Sequence, residues 1–236
     1  MIAPKLLPLI FVVVCAISAV LCDYDVSKRL EPEGKLKVRL DYGLALNWPE
    51  QYAADREPQP PRTWFFSSHL TFKEPVDDIS TGKLWQMAID AYHEAINEGG
   101  RYGISERAQP GAMTVLAWDK QIILASSMKG VRSFSYALQE TPVSKTLELC
   151  ETIWKEADNP KNKWKHKSQA KCGELMAAQI YYSLGGNALG QQKHRVGTVN
   201  LDTVENEPRP AAPCGDPAKV SELTVTRPSL CNVSGA

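Results

Sequence analysis

The stretch KCGELMAAQIYYSLGG, residues 171–186, decides how the rest of the chain is read. It predicts a helix over residues 172–183 that opens at Cys172 and is stopped by Gly185-Gly186. Working outward, residues 195–201 read as a strand. Upstream, AMTVLAWDKQIILASS holds two apolar, β-branched runs, residues 113–118 and 121–126, joined across Asp119-Lys120, which predicts a β-hairpin. Before that, Ser80 and Thr81 can cap a helix over residues 83–97, where Leu84, Ala88, Ala91, Tyr92, Ala95 and Ile96 recur at three- and four-residue spacing and Gly99-Gly100 closes the element.

Thr141-Pro142 starts a further helix, with Leu147, Cys150, Ile153 and Trp154 on one face and Asn159-Pro160 at its end; Cys150 is expected to point inward. After residue 201, EPRPAAPCGDP is expected to be a proline-rich loop, and LTV, residues 223–225, a short strand. At the other end, KLKVRL, residues 35–40, alternates with period two and predicts a strand with one buried face. Prolines 49, 58, 60 and 61 rule out regular structure over residues 49–62. The compact domain is expected to begin near Trp64, Phe65 and Phe66.

The chain has 236 residues, 43% hydrophobic and 23% charged, with 27 Lys+Arg against 27 Asp+Glu. This composition excludes a peptide toxin and a wholly disordered or collagen-like chain. The charge balance also removes any global field toward a polyanion or an anionic membrane. One local departure is residues 155–171, with six lysines, Trp164 and His166 against two acids. They read either as a solvated loop or as a groove for a phosphate-bearing ligand in which Lys165, His166 and Lys167 contact substrate.

Residues 1–22 carry one charge, Lys5, then an apolar run over residues 6–21, interrupted at Pro8, before polarity returns at Asp23. This reads as a cleaved signal peptide: the run of about 16 residues is short of the ~20 a membrane span needs. A secreted protein with no membrane segment in its mature form is expected, organised as a leader (1–22), an N-terminal extension (23–63) and an α/β domain (64–236). Six cysteines occur, and removing Cys15 and Cys22 with the leader leaves Cys150, Cys172, Cys214 and Cys231. In an oxidising compartment they would form two disulfides, in one of three pairings.

Cys172-Gly173-Glu174 opens a helix, and Pro213-Cys214 follows about 40 residues later, beyond a strand. At a helix N-terminus the dipole and the free N–H groups favour a thiolate, the form that binds Zn²⁺. A glutamate two residues on can reach a metal-bound water without being a ligand. The pattern matches the zinc deaminase arrangement of one ligand, x-E, and a later Pro-Cys, with three protein ligands and one open position.

With helix, hairpin, C-x-E helix and strand in that order, residues 84–231 resemble a secreted deaminase-like family of filamentous fungi, related to the toxin-type nucleic-acid deaminases. KCGELMAAQIYYSLGG and AAPCGD carry the resemblance. It implies a three-layer cytidine-deaminase-like α/β sandwich, Zn²⁺ held by Cys172, Cys214 and Cys231, and Glu174 shuttling protons during hydrolytic deamination of a nucleobase, nucleoside or nucleic acid. The chain departs from the family at Gly215-Asp216-Pro217, where a second thiolate is usual, so the third ligand must come from Cys231 or Cys150. The alternative is a disulfide-stabilised secreted effector or binding protein on the same scaffold without chemistry, with Cys150 paired to Cys172 and Cys214 to Cys231. His69, His93 and His194 carry no metal-spaced partner, and no Gly-x-Ser-x-Gly elbow surrounds Ser126 and Ser127.

Overall fold

The computed structural model describes residues 24–48, 62–130, 133–156, 166, 168–191, 193–211 and 224–225. The leader, most of the proline-rich stretch, Lys165, Lys167, Cys214 and Cys231 lie outside these residues.

The elements run β1 (Arg39–Leu40), α1 (Tyr42–Asn47), β2 (Phe66–Thr71), α2 (Thr81–Arg101), β3 (Ala112–Trp118), β4 (Gln121–Ser126), α3 (Pro142–Glu156), α4 (Gly173–Ser183), β5 (His194–Asp202), β6 (Glu207–Ala211) and β7 (Thr224–Val225). The strands form one sheet in the order β1-β2-β4-β3-β5-β6, with β7 also paired to β5. Every pair is antiparallel.

Period-two alternation places helices on both faces. Met113, Val115, Ala117, Ile122, Leu124 and Val199 pack with Leu84, Ala88, Ala91 and Tyr92 of α2. Their neighbours Leu116, Trp118, Ile123 and Ala125 pack instead with Val143 and Leu147 of α3 and with Leu175, Met176, Ala178 and Tyr181 of α4. The near-continuous apolar runs of β3 and β4 follow from their position in the middle of a sheet covered on both sides. Each fully buried aliphatic side chain there contributes about 1.5–3 kcal/mol.

The hairpin forms as the sequence predicts, with Trp118 opposite Gln121. Asp119, at φ 44°, takes the left-handed position its two-residue turn requires, a conformation in which aspartate is enriched among non-glycine residues. Ser80 caps α2, accepting from the Lys83 N–H. The helix runs four residues past the expected Asn97, through Gly99-Gly100, and stops at Gly103, φ 73°. There the Gly103 and Ile104 N–H groups bond back to the Gly100 and Gly99 carbonyls, the geometry of a Schellman stop. Gly99 is instead a packing position, where an added Cβ would lie 3.3 Å from the Phe66 ring.

Three other expectations change. Residues 35–40 give only the two-residue β1, because Leu36 and Val38 send their N–H groups to the Glu94 carboxylate of α2 at 2.8 and 3.3 Å. EPRPA is strand β6 rather than loop. Pro208 and Pro210 are two residues apart, so both ring nitrogens face the open edge, where the sheet needs no donor. Strand β2 was not anticipated; its residues 67–71 alternate too weakly in hydrophobicity to announce it, and it is fixed by pairing with β4.

The N-terminal segment packs into the domain. Val38, Leu40 and Ala45 join the core on the α2 face, the Asp25 N–H bonds the Tyr102 carbonyl at 2.7 Å, and Arg101 pairs with Glu33 and Glu98. No helix among the described residues is long and apolar enough to cross a membrane.

Candidate functional site

At the start of α4 the sheet and the helix leave a cavity of about 510 Å³. Its walls are Gly111 and Ala112 at the start of β3, the segment Ser127 to Gly130 after β4, Ser168, the run Lys171 to Glu174, and Thr198 and Asn200 of β5. A glycine at 173 brings the first turn of α4 down onto the sheet. An added Cβ there would lie 3.0 Å from the Ala125 carbonyl oxygen and closer still to Thr114 Oγ1.

Cys172 is the N-cap residue of α4 and makes no side-chain cap hydrogen bond. Serine or aspartate at this position would satisfy a first-turn N–H; the cysteine instead places a thiol at the cavity wall. Glu174 follows in the first turn, where a carboxylate is favoured by the positive end of the helix dipole. Its Oε1 accepts a 2.7 Å hydrogen bond from Thr198, and Thr198 Oγ1 lies 2.7 Å from Thr114 Oγ1. Because Thr198 spends its one proton on the carboxylate, Thr114 must be the donor in the second bond. This buried pair ties Glu174 to the middle of the sheet.

Lys171 stands on the same wall. Its Nζ donates to the Gly130 carbonyl at 2.7 Å, and its own carbonyl accepts from the Met128 N–H at 2.9 Å. Burial lowers its pKa, and the neighbouring charge of Lys129 lowers it further. The turn that delivers Lys171 places two non-glycine residues, Gln169 (φ 53°) and Ala170 (φ 56°), in the left-handed region. Ala170 is buried, and its carbonyl takes a hydrogen bond from Ser133 Oγ at 3.0 Å. Backbone strain of this kind concentrates where a structure holds functional groups in place.

His166 is not a cavity residue. It is buried, its N–H donates to Tyr136 Oη at 3.0 Å, and its Nδ1 accepts from the Ser168 N–H at 3.2 Å. The neutral ring therefore carries its proton on Nε2. Burial pushes its pKa down to about 4. His194 is also buried, edge-on to Tyr181 at 5.1 Å and near Trp118, while His69 and His93 are exposed.

Of the expected site residues, Cys172 and Glu174 come together in the cavity. Cys150 is buried as expected, but it does not pair with Cys172: Cys150 is disulfide-bonded and Cys172 is in no disulfide. Among the described residues no group of three His, Cys, Asp or Glu could hold a metal ion. The thiol and the carboxylate beside it suit a thiolate-bound Zn²⁺ with an adjacent proton carrier, and the other two proposed ligands, Cys214 and Cys231, lie outside the described residues.

Sequence reasoning missed Thr114, Ser127, Lys129, Thr198 and Asn200. Thr114 and Thr198 are 84 residues apart, and their only sequence signal is a polar residue in each of two apolar strands. No protein-family model, curated protein or solved structure matches the chain.

Proposed function

We propose that the cavity at the start of α4 is the site of a secreted, zinc-dependent hydrolytic deaminase acting on a nucleobase, nucleoside or nucleic acid, with α2, β3, β4, α4 and β5 as a cytidine-deaminase-like core. The observation that carries the reading is that the thiol of Cys172 and the carboxylate of Glu174 line one cavity from the same helix start. Zn²⁺ would be held by Cys172 and by whichever of Cys214 and Cys231 is not bonded to Cys150, and would supply Lewis-acid chemistry. The rest falls to the chain. Hydrolysis adds water at the amine-bearing carbon and expels ammonia, so one carboxylate that takes a proton from water, passes one to the ring nitrogen and delivers one to the leaving amine serves the whole exchange. Thr198 holds Glu174 in a single orientation for that work.

The test is ammonia release from cytidine, adenosine and single-stranded DNA and RNA, with elemental analysis of the same protein. Glu174→Gln is expected to abolish turnover with zinc content and folding unchanged. Full activity in that variant, or a protein free of zinc that still turns over, overturns the mechanism. The second reading, a disulfide-stabilised effector or binding protein without chemistry, draws on the disulfide at Cys150. It predicts no stoichiometric zinc and a loss of about 2–5 kcal/mol of stability on reduction.

A further inference from the structure

We propose that the cavity seats its ligand through a phosphate group held between Lys171 and Lys129. The inference rests on the same cavity being the functional site, and it adds the charge class of the substrate. Lys129 and Lys171 both line the cavity, on two chain segments that meet there. Neither position is incidental. The main chain of Lys129 is paired with Trp64 through two hydrogen bonds of 2.7 and 2.9 Å. Lys171 is fixed twice, by its carbonyl to Met128 and by its ammonium to the Gly130 carbonyl. Gly130 itself, at φ 133°, packs so closely on Thr63 that a side chain would collide with it. The ammonium of Lys171 is therefore held in place before any ligand arrives, which reduces the ordering cost of binding.

Two like charges brought together at a partly buried wall raise the energy of the empty site. A negatively charged phosphate group relieves the repulsion and accepts hydrogen bonds from both ammonium groups. The negative charge in the cavity is anchored elsewhere: Glu174 is bonded to Thr198 on β5, whereas Lys171 is bonded to the loop after β4. The cavity thus offers a cationic donor tied to the loop after β4 and a carboxylate acceptor tied to β5. A ligand with phosphate at one end and an amine-bearing ring at the other satisfies both, and about 510 Å³ is within the range of pockets that enclose small ligands. The same contact serves a terminal monophosphate or an internal phosphodiester.

The experiment is calorimetric titration of the full chain with cytidine, adenosine, their 5′-monophosphates, and a short single-stranded oligonucleotide lacking terminal phosphate, at low and moderate salt. The better monophosphate is expected to bind at least about tenfold more tightly than its nucleoside, with the preference shrinking as salt rises. Lys129→Ala, at an exposed side chain whose removal leaves the fold intact, is expected to cut the preference, and Lys171→Ala to remove it. Binding of the oligonucleotide with the same lysine dependence would assign the contact to a phosphodiester; binding of the monophosphate alone would assign it to a terminal phosphate. Equal affinity for nucleoside and monophosphate, no binding by either monophosphate, or a preference that survives Lys129→Ala at every salt concentration overturns the inference. Phosphate-dependent binding without ammonia release sinks the deaminase reading and leaves this one standing. Ammonia release that is as efficient from nucleosides as from monophosphates does the reverse.

Discussion

Replacing Gly173 by alanine tests the claim that α4 reaches the cavity only because its first residue has no side chain. The new Cβ would sit 3.0 Å from the Ala125 carbonyl oxygen, 3.1 Å from Thr114 Cβ and nearer still to Thr114 Oγ1. Neither neighbour can yield, since Ala125 is bonded into the β3–β4 and β2–β4 ladders and Thr114 is buried and bonded to Thr198. Contacts this short put the overpacking cost in the upper part of its usual range, about 2–3 kcal/mol, and alanine's advantage over glycine in a helix returns about 1 kcal/mol. Gly173→Ala is thus expected to be destabilised by about 1–2 kcal/mol, a fall in Tm of roughly 2–8 °C for a domain of this size. Urea denaturation monitored by tryptophan fluorescence measures it. Thr114→Ala removes Oγ1 and is itself expected to cost about 1 kcal/mol, yet the double variant is expected to be more stable than the sum of the two losses. A Gly173→Ala protein as stable as the wild type, or strict additivity in the double variant, refutes the close-approach argument.

Two further outcomes follow from individual groups. Burial holds His166 at about 4, below its ordinary 6.5; as pH falls the unfolded chain takes up the proton first. The stability contributed by the neutral ring is therefore complete above about pH 6.5 and lost as pH falls toward 4, about 3 kcal/mol in all. Urea unfolding at pH 7, 5.5 and 4.5 is expected to show a shallower pH dependence in His166→Gln than in the wild type, and parallel curves would contradict the assignment. Glu94→Ala removes the carboxylate that receives Leu36 and Val38. Amide exchange at those two residues is expected to accelerate at least about tenfold while β3 and β4 stay protected; unchanged exchange would mean that the N-terminal segment is held by its apolar contacts alone.

The hairpin, α3 and α4 were legible because their signals are local. Apolar β-branched runs, a Thr-Pro start and a Gly-Gly stop act within a few residues. The same locality misplaced the end of α2, since Gly99-Gly100 carries the signature of a stop but is needed where Phe66 and Gln109 press on the helix. It also turned EPRPA into a loop. Whether proline is tolerated in a strand depends on which edge of the sheet the ring nitrogen faces, and that edge exists only once β5 is in place.

At the site, the sequence by itself determined that a cysteine and a glutamate share the first turn of α4, because helical spacing follows from residue number alone. Tertiary structure decided what those residues meet. Thr198 comes from β5, Lys129 from the loop after β4, and Gly173 allows the approach through a missing Cβ. Packing also sent His166 into the interior and separated Cys172 from the disulfide-bonded Cys150. Contacts between residues far apart in sequence are set by the pairing of strands and the stacking of helices on a sheet, and neither composition nor periodicity encodes them locally.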